Sequence, residues 1–434
     1  MSEKNNKGIV DVVTLGCSKN LVDSEQLMRQ FDVLGYTVRH DADKPDGDVV
    51  IVNTCGFIGD AKEESINTIL QFANLKKQQK IQKLFVMGCL SERYMNELKL
   101  EIPEVDKYYG KFNYNDILTD MGQEYRADLR LERTMTTPSH FAYVKISEGC
   151  NRGCSYCAIP IMTGRHRSRS IEDIETEVKG LVAKGVKEFL IIAQDLSSYG
   201  LDKYKSQKLG ELIERISDVP GVEWIKLHYA YPSEFPYDIL RVMRERDNVC
   251  KYLDIALQHV SDNMLKIMLR DITSVQTYEL MARIRKEVPG IHLRTTLLLG
   301  HPGETEADVE ELKEFIMKVR FDRLGAFAYS HEEGTHAYKK MTDDIPEETK
   351  QERVNEIMSI QQKISAELNE LKIGQTLKVL IDKQEGEYFV GRTEFDSPEV
   401  DPEVLIPIST PGVKVGEFYL AKIVGSTDFD LYGE

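Results

Sequence analysis

Six of the seven cysteines in this 434-residue chain fall into two groups of three. In the first group, Cys150, Cys154 and Cys157 are four and three residues apart, and Gly149 and Gly153 give the backbone freedom to fold around a ligand. Three thiolates at this spacing can hold one small metal centre, and three ligands leave the fourth iron of a cubane cluster open. Because an open iron can bind and reduce a small molecule, this loop predicts redox chemistry.

The second group is dispersed: Cys17, Cys55 and Cys89 each follow the end of a predicted strand and have a glycine as neighbour. The carboxyl ends of parallel strands meet at one edge of a sheet, so the three thiols are expected to converge there. The simpler alternative is three unrelated buried thiols, and a catalytic cysteine would lack a paired histidine close in sequence. The placement therefore predicts a second metal centre. Cys250 stands alone before a predicted strand and is interpreted as a structural thiol.

A structural zinc site is the main alternative for the first group, with His166 as the nearby candidate for a fourth ligand. The loop, however, directly follows the first strand of the central segment, where a β/α barrel places its functional groups. That position favours a reactive cluster over a structural ion.

The elements that must position these cysteines alternate between strands and helices. In residues 8–90, helices starting near Leu21 and spanning 61–75 separate three strands, which predicts a parallel sheet. Residues 136–370 alternate six more strands with helices such as 171–184, for which Ser170 and Asp173 can form a capping box. This pattern predicts a full or partial β/α barrel, followed by a polar helix over about 346–371. The predicted strands are 9–15, 48–53, 83–87, 142–147, 188–193, 224–229, 252–256, 292–299 and 323–328.

From Ile373 onward, short β-rich runs alternate with glycine, proline and aspartate turns. The runs 376–381, 387–390, 404–407 and 418–423 predict a small closed β-barrel. The sequence contains neither a Walker-type phosphate loop nor a Gly-x-Gly-x-x-Gly motif, which removes the main support for nucleoside triphosphate or dinucleotide binding. The predicted fold class is α/β, with an N-terminal parallel sheet, a central partial (β/α)6 barrel and a small all-β barrel at the C-terminus.

Composition indicates a folded, acidic protein. Hydrophobic residues make up 41% of the chain, charged residues make up 29%, and the net charge is −16. This charge argues against a general phosphate binder, which needs a basic surface. The N-terminal segment has no apolar stretch of signal-peptide type, and no run approaches the roughly 18 apolar residues of a membrane helix. We therefore expect a cytoplasmic protein whose reduced cysteines serve metal or redox chemistry.

The loop Ser147-Glu-Gly-Cys150-Asn-Arg-Gly-Cys154-Ser-Tyr156-Cys157 resembles that of the radical-SAM superfamily in its spacing, its aromatic residue and its place after a first strand. This resemblance implies a [4Fe–4S] cluster whose open iron binds S-adenosylmethionine (SAM), which one electron cleaves to a 5′-deoxyadenosyl radical. Contacts to SAM are expected at later strand ends, where Ala193-Gln194-Asp195 replaces the Gly-Gly-Glu of the superfamily. For each candidate the alternative is a buried hydrogen-bonding residue. The candidates are Tyr156, Gln194, Asp195, Gln258, His259, Gly300, Gly303 and Glu304.

The two cysteine groups together resemble the methylthiotransferase family. The resemblance implies an N-terminal methylthiotransferase domain over 8–124, a radical-SAM core over 135–368 and a TRAM domain over 370–434. It also implies a second [4Fe–4S] cluster that holds the transferred sulfur, with one SAM as methyl donor and another as radical source. The two clusters must then face one cavity, and no catalytic acid or base is indicated. The matching motifs are Leu15-Gly-Cys17-Ser-Lys-Asn20-Leu-Val-Asp23-Ser-Glu25, Asn53-Thr-Cys55-Gly-Phe57 and Met87-Gly-Cys89-Leu90.

Charge in the C-terminal region bears on the substrate, because twelve acidic residues outnumber five basic ones from Ile373 to Glu434. Nucleic-acid affinity needs cations that neutralise phosphates, so this region is expected to repel RNA and attract a basic protein. The run 394–403 is predicted to lie on that docking surface, the alternative being a solvated face that touches nothing. Two motifs resemble the branch of the family that modifies the β-carbon of an aspartate in ribosomal protein S12, namely Cys157-Ala-Ile-Pro-Ile-Met-Thr-Gly-Arg165 and Tyr329-Ser-His-Glu-Glu-Gly-Thr335.

That resemblance implies ribosomal protein S12 as substrate and an electron donor such as a flavodoxin or ferredoxin, with nucleic acid met only indirectly through the ribosome. Methylthiolation of a tRNA adenosine, the reaction of the other branch, is the alternative. A non-catalytic iron–sulfur electron carrier and a zinc-stabilised scaffold protein are two further alternatives. The basic stretch Arg165-His-Arg167-Ser-Arg169 suits either binding of a SAM or substrate carboxylate, or pairing with the acidic helix that follows.

Overall fold

The computed structural model describes residues 7–434, and the charged segment 1–6 lies outside the described part. The first elements are β1 (Ile9–Thr14), α1 (Ser18–Val33), β2 (Thr37–His40), β3 (Val49–Thr54), α2 (Gly59–Lys77), β4 (Lys83–Gly88), α3 (Cys89–Glu101), β5 (Lys107–Tyr108) and α4 (Tyr114–Asp120). The five strands are parallel and lie in the order β2–β1–β3–β4–β5, which confirms the predicted parallel sheet. The edge strands β2 and β5 were not predicted, because one is polar and the other has two residues.

The central strand β3 explains why this sheet forms. All six of its residues, Val-Val-Ile-Val-Asn-Thr, are buried. Val50 and Val52 pack with apolar residues of α2, whereas Val49 and Ile51 pack with those of α1 on the opposite face. A strand covered by helices on both faces carries a continuous apolar sequence, and that continuity is the signal that predicts it.

The central region continues through a 3₁₀ helix (Ala127–Leu129) into a second parallel sheet. Its elements are β6 (Phe141–Lys145), β7 (Ser147–Glu148), α5 (Ile159–Thr163), β8 (Arg167–Ser168), α6 (Ile171–Val182), β9 (Glu188–Ile192), α7 (Leu201–Tyr204), α8 (Leu209–Ser217), β10 (Trp224–Ala230), α9 (Asp238–Glu245), β11 (Val249–Gln258), α10 (Asp262–Ile267), α11 (Ser274–Glu287), β12 (His292–Leu299), α12 (Glu306–Val319), β13 (Arg323–Ala328), α13 (His336–Lys340) and α14 (Glu347–Glu370).

Six of these strands form one parallel sheet in the order β13–β12–β11–β10–β9–β6, so neighbours in the sheet are also neighbours among its strands in sequence. The sheet stays open between β6 and β13, which confirms a partial (β/α)6 barrel. One face packs on the surrounding helices in the largest apolar core. Within residues 7–434, no helix combines the length and apolar character needed to cross a membrane.

The predicted capping box at the start of α6 forms only in part. Ser170 accepts a hydrogen bond from the backbone amide of Asp173 at 3.3 Å. The Asp173 carboxylate instead pairs with Arg130 at 2.7 Å, so it is directed away from the helix terminus. A competing ion pair from another segment is therefore what breaks the reciprocal bond.

The C-terminal region is a closed barrel, which confirms the small β-barrel predicted from the sequence. The strands are β14 (Thr376–Glu385), β15 (Tyr388–Thr393), β16 (Val404–Pro407), β17 (Phe418–Ser426) and β18 (Leu431–Gly433), in the order β14–β15–β16–β18–β17. The last strand was not predicted, because three residues at the chain end carry too little pattern.

Two of the five acids in the run 394–403, Asp396 and Asp401, do not lie on the docking surface that the charge of the run suggests, so that prediction is wrong for these two residues. Asp396 is buried and pairs with Arg323 at the start of β13, 2.5 Å away. The Asp401 side chain accepts a hydrogen bond from the Tyr252 hydroxyl at 2.8 Å and pairs with Arg294 at 3.2 Å. Asp396 thus neutralises Arg323, and Asp401 shares Arg294 with Asp254, so two largely buried cations of the barrel have anionic partners.

A second buried pair joins the two regions beside this run. The Arg392 guanidinium donates to both oxygens of Glu188, the first residue of β9, at 3.0 and 2.7 Å.

The exposed charges of the C-terminal region are nearly balanced, with six acids against four bases. The exposed acids are Glu385, Glu387, Glu399, Glu417, Asp428 and Glu434, and the exposed bases are Lys378, Lys383, Lys414 and Lys422.

Candidate active site

The three N-terminal cysteines lie at one edge of the first sheet, as their positions predict. Cys17 is the residue before α1, Cys55 follows β3, and Cys89 opens α3 directly after β4. Cys55 and Cys89 are buried, whereas Cys17 is exposed. Burial raises the pKa of Cys89 to about 12, and the neighbouring thiols Cys17 and Cys55 add to the rise. The three thiols are thus close enough to act on one another.

Gly16 shows how tightly the strand ends approach. Its φ of +92° lies in the left-handed region, and a Cβ built on it would meet the Cys55 sulfur at 2.8 Å. Any larger residue there would displace Cys55. The glycine therefore serves the close approach that the sequence pattern indicates.

Asn20 ties the three strand ends together. Its side-chain amide donates to the carbonyls of Leu15 and Thr54 at 3.0 and 3.1 Å. Its Oδ1 accepts from Lys111 at 3.2 Å and lies 3.7 Å from the Cys89 sulfur. One buried side chain thus fixes the loops that carry all three cysteines. From the sequence, Asn20 was recognised as part of a matching motif, but no role was predicted for it.

Lysines supply positive charge beside these thiols. Lys111 is buried, and its ammonium lies 3.7 Å from the Cys89 sulfur. Loss of solvation acts against the Cys17 thiolate, yet the ammonium groups of Lys19 and Lys111 hold the pKa of Cys17 below its ordinary value. Cations of this kind favour thiolates, which are the metal-binding form of cysteine. Lys111 lies far from any cysteine motif, so the sequence offered no signal for it.

A buried chain of charged groups connects this site to the core loop. Asp23 of α1 contacts Lys145 of β6, and Lys145 pairs with Glu148 at 2.7 Å. Glu148 in turn accepts a hydrogen bond from Gln194. Burial opposes the charged form of Glu148, but Lys145 and Lys111 lower the pKa of its carboxyl group to about 2. Because Glu148 stands two residues before Cys150, this network links the helix after Cys17 to the start of the core loop.

The core loop is held by its own neighbours. The Cys150 amide donates to the Gly164 carbonyl at 3.2 Å. Gly149 has a φ of +80°, and a Cβ there would lie 2.2 Å from the Arg165 carbonyl oxygen. Gly149 is thus required by packing, whereas no atom lies within 4 Å of a Cβ at Gly153.

Two arginines flank the core cysteines and were not predicted. The Arg270 guanidinium lies 3.7 Å from the Cys154 sulfur and donates to the Tyr156 hydroxyl at 2.9 Å. Arg152 and Arg270 each stack on the ring of Tyr231, both 4.3 Å from its centroid. The Tyr231 hydroxyl lies 3.6 Å from the Cys154 sulfur. The core cysteines therefore sit beside fixed positive charge, as an anionic cluster requires.

Two of the residues predicted to contact SAM, Gln194 and Asp195, form hydrogen bonds with residues of the core loop. The Asp195 carboxylate accepts from Arg152 at 2.9 Å and from the Ser198 hydroxyl at 2.6 Å. Gln194 donates to Glu148, and its own oxygen has no hydrogen-bond partner within residues 7–434. Gln194 as a residue is half-buried, but this oxygen is itself buried, so a ligand would reach it only from inside the site. Contact with SAM by these residues and by Tyr156 stays a prediction.

The other predicted SAM contacts divide between two environments. His259 and Glu304 are buried side by side, with 3.5 Å between His259 Nε2 and Glu304 Oε1. Glu304 also accepts from the Gly300 amide at 2.7 Å and pairs with Arg353 of α14 at 2.8 Å. Glu304 therefore holds the loop after β12 against α14. Gln258 and Gly303 remain accessible, and Gln258 has a strained φ of +70° at the end of β11.

The donor set suits a cluster. Within residues 7–434, no three His, Cys, Asp or Glu side chains converge closely enough to hold a single metal ion. The thiolates of a cubane cluster each bind a different iron, so they need not meet at one point.

Two residues singled out in the sequence lie outside both cysteine groups. The His166 ring contacts the Ser168 hydroxyl at 3.1 Å. Cys250 lies inside β11, not before it, and is buried with Trp224 and Tyr252.

Arginines of the basic stretch 165–169 contact two different parts of the protein. Arg169 pairs with Glu177 of the acidic helix α6 at 2.5 Å, as one of its two interpretations predicts. Arg167 lies over the ring of Phe112, 4.9 Å from the centroid, in the N-terminal region. The stretch thus joins the core loop to both neighbours.

Glu332, within the motif 329–335, also joins two regions. Its buried carboxylate pairs with Arg93 of α3 at 2.7 Å and with Lys62 of α2 at 2.8 Å. Arg93 also donates to the Gly56 carbonyl beside Cys55 at 3.1 Å. The motif therefore anchors the N-terminal cysteine site against the barrel.

Comparison with protein families defines the class of this molecule. The radical SAM superfamily matches residues 144–316, the uncharacterized protein family UPF0004 matches 9–110, and the TRAM domain matches 373–434. Among solved structures, the radical SAM methyltransferase TsrM from Kitasatospora setae aligns with a TM-score of 0.55 at 15% identity, covering 74% of this chain and 72% of that one. The cobalamin-dependent radical SAM enzyme OxsB aligns with a TM-score of 0.53 at 13% identity, covering 80% and 57%. These likenesses establish a radical-SAM fold.

Curated relatives narrow the class to one family. A Bacteroides thetaiotaomicron protein, ribosomal protein uS12 methylthiotransferase RimO, is 65% identical over 425 residues, covering 98% of each chain. The protein of the same name from Parabacteroides distasonis is 62% identical over 428 residues, covering 99% of each chain. The chain belongs to the RimO family of methylthiotransferases.

Proposed function

We propose that this chain is a radical-SAM methylthiotransferase that modifies an aspartate of ribosomal protein uS12, the protein called S12 above. A β-carbon C–H bond is broken and a C–S bond is formed, so that a methylthio group replaces one hydrogen. One SAM gives its methyl group to sulfur at the oxidation level of sulfide, and S-adenosylhomocysteine leaves. One electron cleaves a second SAM to methionine and a deoxyadenosyl fragment, which takes the hydrogen atom. Joining the carbon radical to the methylated sulfur releases one electron, which balances the electron supplied. The enzyme is a transferase.

The observation that carries this function is the identity of 62–65% with RimO proteins along nearly the whole chain. All six cysteines of the two groups lie inside that alignment range, and the structure brings each group to one edge of its sheet. The alternative reaction, on a tRNA adenosine, has no comparable support. Surface charge does not decide between the two branches, because two of the five acids in the run 394–403 have buried side chains and the exposed charges of the C-terminal region are nearly balanced.

Iron–sulfur chemistry and SAM belong to this function, and we assign the ligands as follows. Cys150, Cys154 and Cys157 hold the cluster that binds SAM, and Cys17, Cys55 and Cys89 hold a second [4Fe–4S] cluster. When bound, the first supplies the electron that cleaves SAM, and the second supplies the site of the sulfur.

The chain's own residues then have distinct tasks. Asn20 fixes the three N-terminal loops, and Lys111 and Arg270 offset the negative charge of the thiolates beside them. The network of Asp23, Lys145 and Glu148 connects the N-terminal site to the core loop, which supports our proposal that the two sites open to one cavity. We further propose domain limits of 8–124, 135–368 and 370–434, a cytoplasmic location, and an electron donor of flavodoxin or ferredoxin type.

The test is product analysis with reconstituted enzyme. Enzyme, SAM, a low-potential reductant and sulfide are incubated with uS12, with assembled small subunits, or with total tRNA, and the products are digested for mass spectrometry. We expect one methylthio group on a single uS12 aspartate in a protein sample. Methylthiolated adenosine instead of modified uS12 would overturn the choice of substrate, and modification of neither would overturn the function.

A further inference from the structure

Three lysines surround the N-terminal cysteine site, and two of them are neutralised. Lys111 lies 3.3 Å from Asp23 and 3.9 Å from Glu148. Lys145 contacts Asp23 and pairs with Glu148 at 2.7 Å. Two ammonium groups thus share two carboxylates inside the protein, and this group of four carries no net charge.

Lys19 is different. It is buried except for 8% of its surface, and among residues 7–434 its ammonium forms no ion pair and donates no hydrogen bond. Its ammonium rests on the ring of Tyr229, 3.6 Å from the centroid. A ring face attracts a cation but accepts none of the three N–H donors in the manner of a carboxylate. Among residues 7–434 the Lys19 ammonium therefore has no carboxylate within ion-pair distance, and its charge can still attract an anion.

The position of Lys19 indicates where that anion binds. Lys19 stands two residues after Cys17, in the first turn of α1, and its ammonium reaches across to Tyr229 of β10. Tyr229 lies near the carboxyl end of β10, where its φ is +68° and the register is irregular, and its side chain is partly exposed. Cys17 is the exposed member of its group. The ammonium therefore lies between the loop that carries Cys17 and the carboxyl end of β10, the end of the strand at which a barrel places its functional groups.

We propose that Lys19 binds the β-carboxylate of the substrate aspartate and selects aspartate over asparagine. This rests on the proposed function. The carbon that gains sulfur is bonded directly to the carboxylate carbon, so a cation next to Cys17 holds the reacting carbon beside the sulfur site. A neutral amide gains less from the ammonium, and a site built for a carboxylate rejects its uncharged analogue.

The test compares three synthetic uS12 loop peptides on the reconstituted enzyme, with aspartate, asparagine or alanine at the target position. Affinity is measured by calorimetry, and KM and kcat are measured for the aspartate peptide. The wild type should bind the aspartate peptide at least about tenfold more tightly than the asparagine peptide, a difference of about 1.4 kcal/mol. Lys19→Met keeps the apolar stem on Tyr229 and should bind both peptides equally.

Two further variants make the result specific. Lys19→Arg keeps the charge and should retain a preference for aspartate. Lys318→Met removes an exposed lysine that likewise lies over a tyrosine ring, 4.6 Å from the centroid of Tyr278, and should match the wild type. Iron content and thermal unfolding report whether each variant folds and loads.

The outcomes separate this inference from the proposed function. If Lys19→Met keeps the wild-type preference, or weakens both peptides by the same factor, Lys19 has only a supporting role and the inference is wrong. If Lys19→Met does not fold, loss of the preference for aspartate in Lys19→Arg overturns the inference, and its retention supports it. If the wild type neither binds nor modifies any of the peptides or intact uS12, the proposed function itself fails.

Discussion

The two cysteine groups reach similar sites by opposite routes. Cys150, Cys154 and Cys157 share one loop, which local contacts such as the Cys150–Gly164 hydrogen bond hold in shape. Cys17, Cys55 and Cys89 come from three strand ends that are joined mainly through Asn20. A contiguous loop is defined by its sequence, whereas a dispersed site exists only when the sheet has folded.

The charges beside the two groups also differ. Arginines flank the core loop, where Tyr231 and Asp195 fix their planar guanidinium groups. Lysines flank the N-terminal group, and one of them, Lys19, has no carboxylate partner among residues 7–434. Rigid cations suit a cofactor that stays in place, whereas a compact ammonium is free to meet an incoming substrate.

The largest expected effect is that each cysteine group is needed for a different step: the core group for SAM cleavage and the N-terminal group for methylthio transfer. Replacing Cys150, Cys154 and Cys157 by alanine should abolish SAM cleavage and leave about four of about eight irons per chain. Replacing Cys17, Cys55 and Cys89 should also leave about four irons, but it should preserve SAM cleavage while ending methylthio transfer. Iron assays and chromatography of 5′-deoxyadenosine measure both. Full iron content in the N-terminal variant would refute the second cluster.

A single substitution at Asn20 should disrupt the dispersed N-terminal cysteine site and leave the core loop intact. Asn20→Asp places an oxygen where an amide now donates to the Leu15 and Thr54 carbonyls, at a cost of roughly 3 kcal/mol in the free energy of unfolding. The N-terminal loops should separate and lose about half of the total iron, while SAM cleavage continues. Thermal unfolding, iron content and SAM cleavage are the measurements.

Asn248→Asp is the matched control for that substitution. Asn248 also donates to two carbonyls, those of Ser217 and Val222, at 2.9 and 3.0 Å, and it lies outside both cysteine sites. Its variant should lose stability but keep its iron. Equal iron loss in both variants would mean that Asn20 acts only through overall stability.

The smallest expected effect concerns the potential of the core cluster. Arg270→Gln removes a positive charge 3.7 Å from the Cys154 sulfur, which should make the reduced, more negative cluster less stable. We expect a midpoint potential tens of millivolts more negative, where about 59 mV is tenfold in a one-electron equilibrium. The titration uses the N-terminal triple variant, so that only one cluster is present. Arg270→Lys keeps the charge and should shift less, and an unchanged potential in Arg270→Gln would contradict this role.

Patterns that repeat along the chain were sufficient to predict most of the architecture. The buried strand β3 and the cysteine after it were predictable because burial on both faces requires an unbroken apolar run. The short strands β2, β5 and β18 were missed, because their existence depends on neighbours already in place. The same holds for Ser170 and Asp173, whose reciprocal cap is lost to an ion pair with Arg130.

The sequence by itself determined the six cysteines, their grouping and the three-part fold, since local spacing and periodicity encode these directly. Only the tertiary structure decided which charges face which partners. Asp396 and Asp401 belong to an acidic run in sequence, yet the fold buries them against Arg323 and Arg294. Lys111 and Arg270 reach the thiols from distant segments. Charge acts through space, and a linear sequence records the charge of each residue but not the distance to the residue it meets.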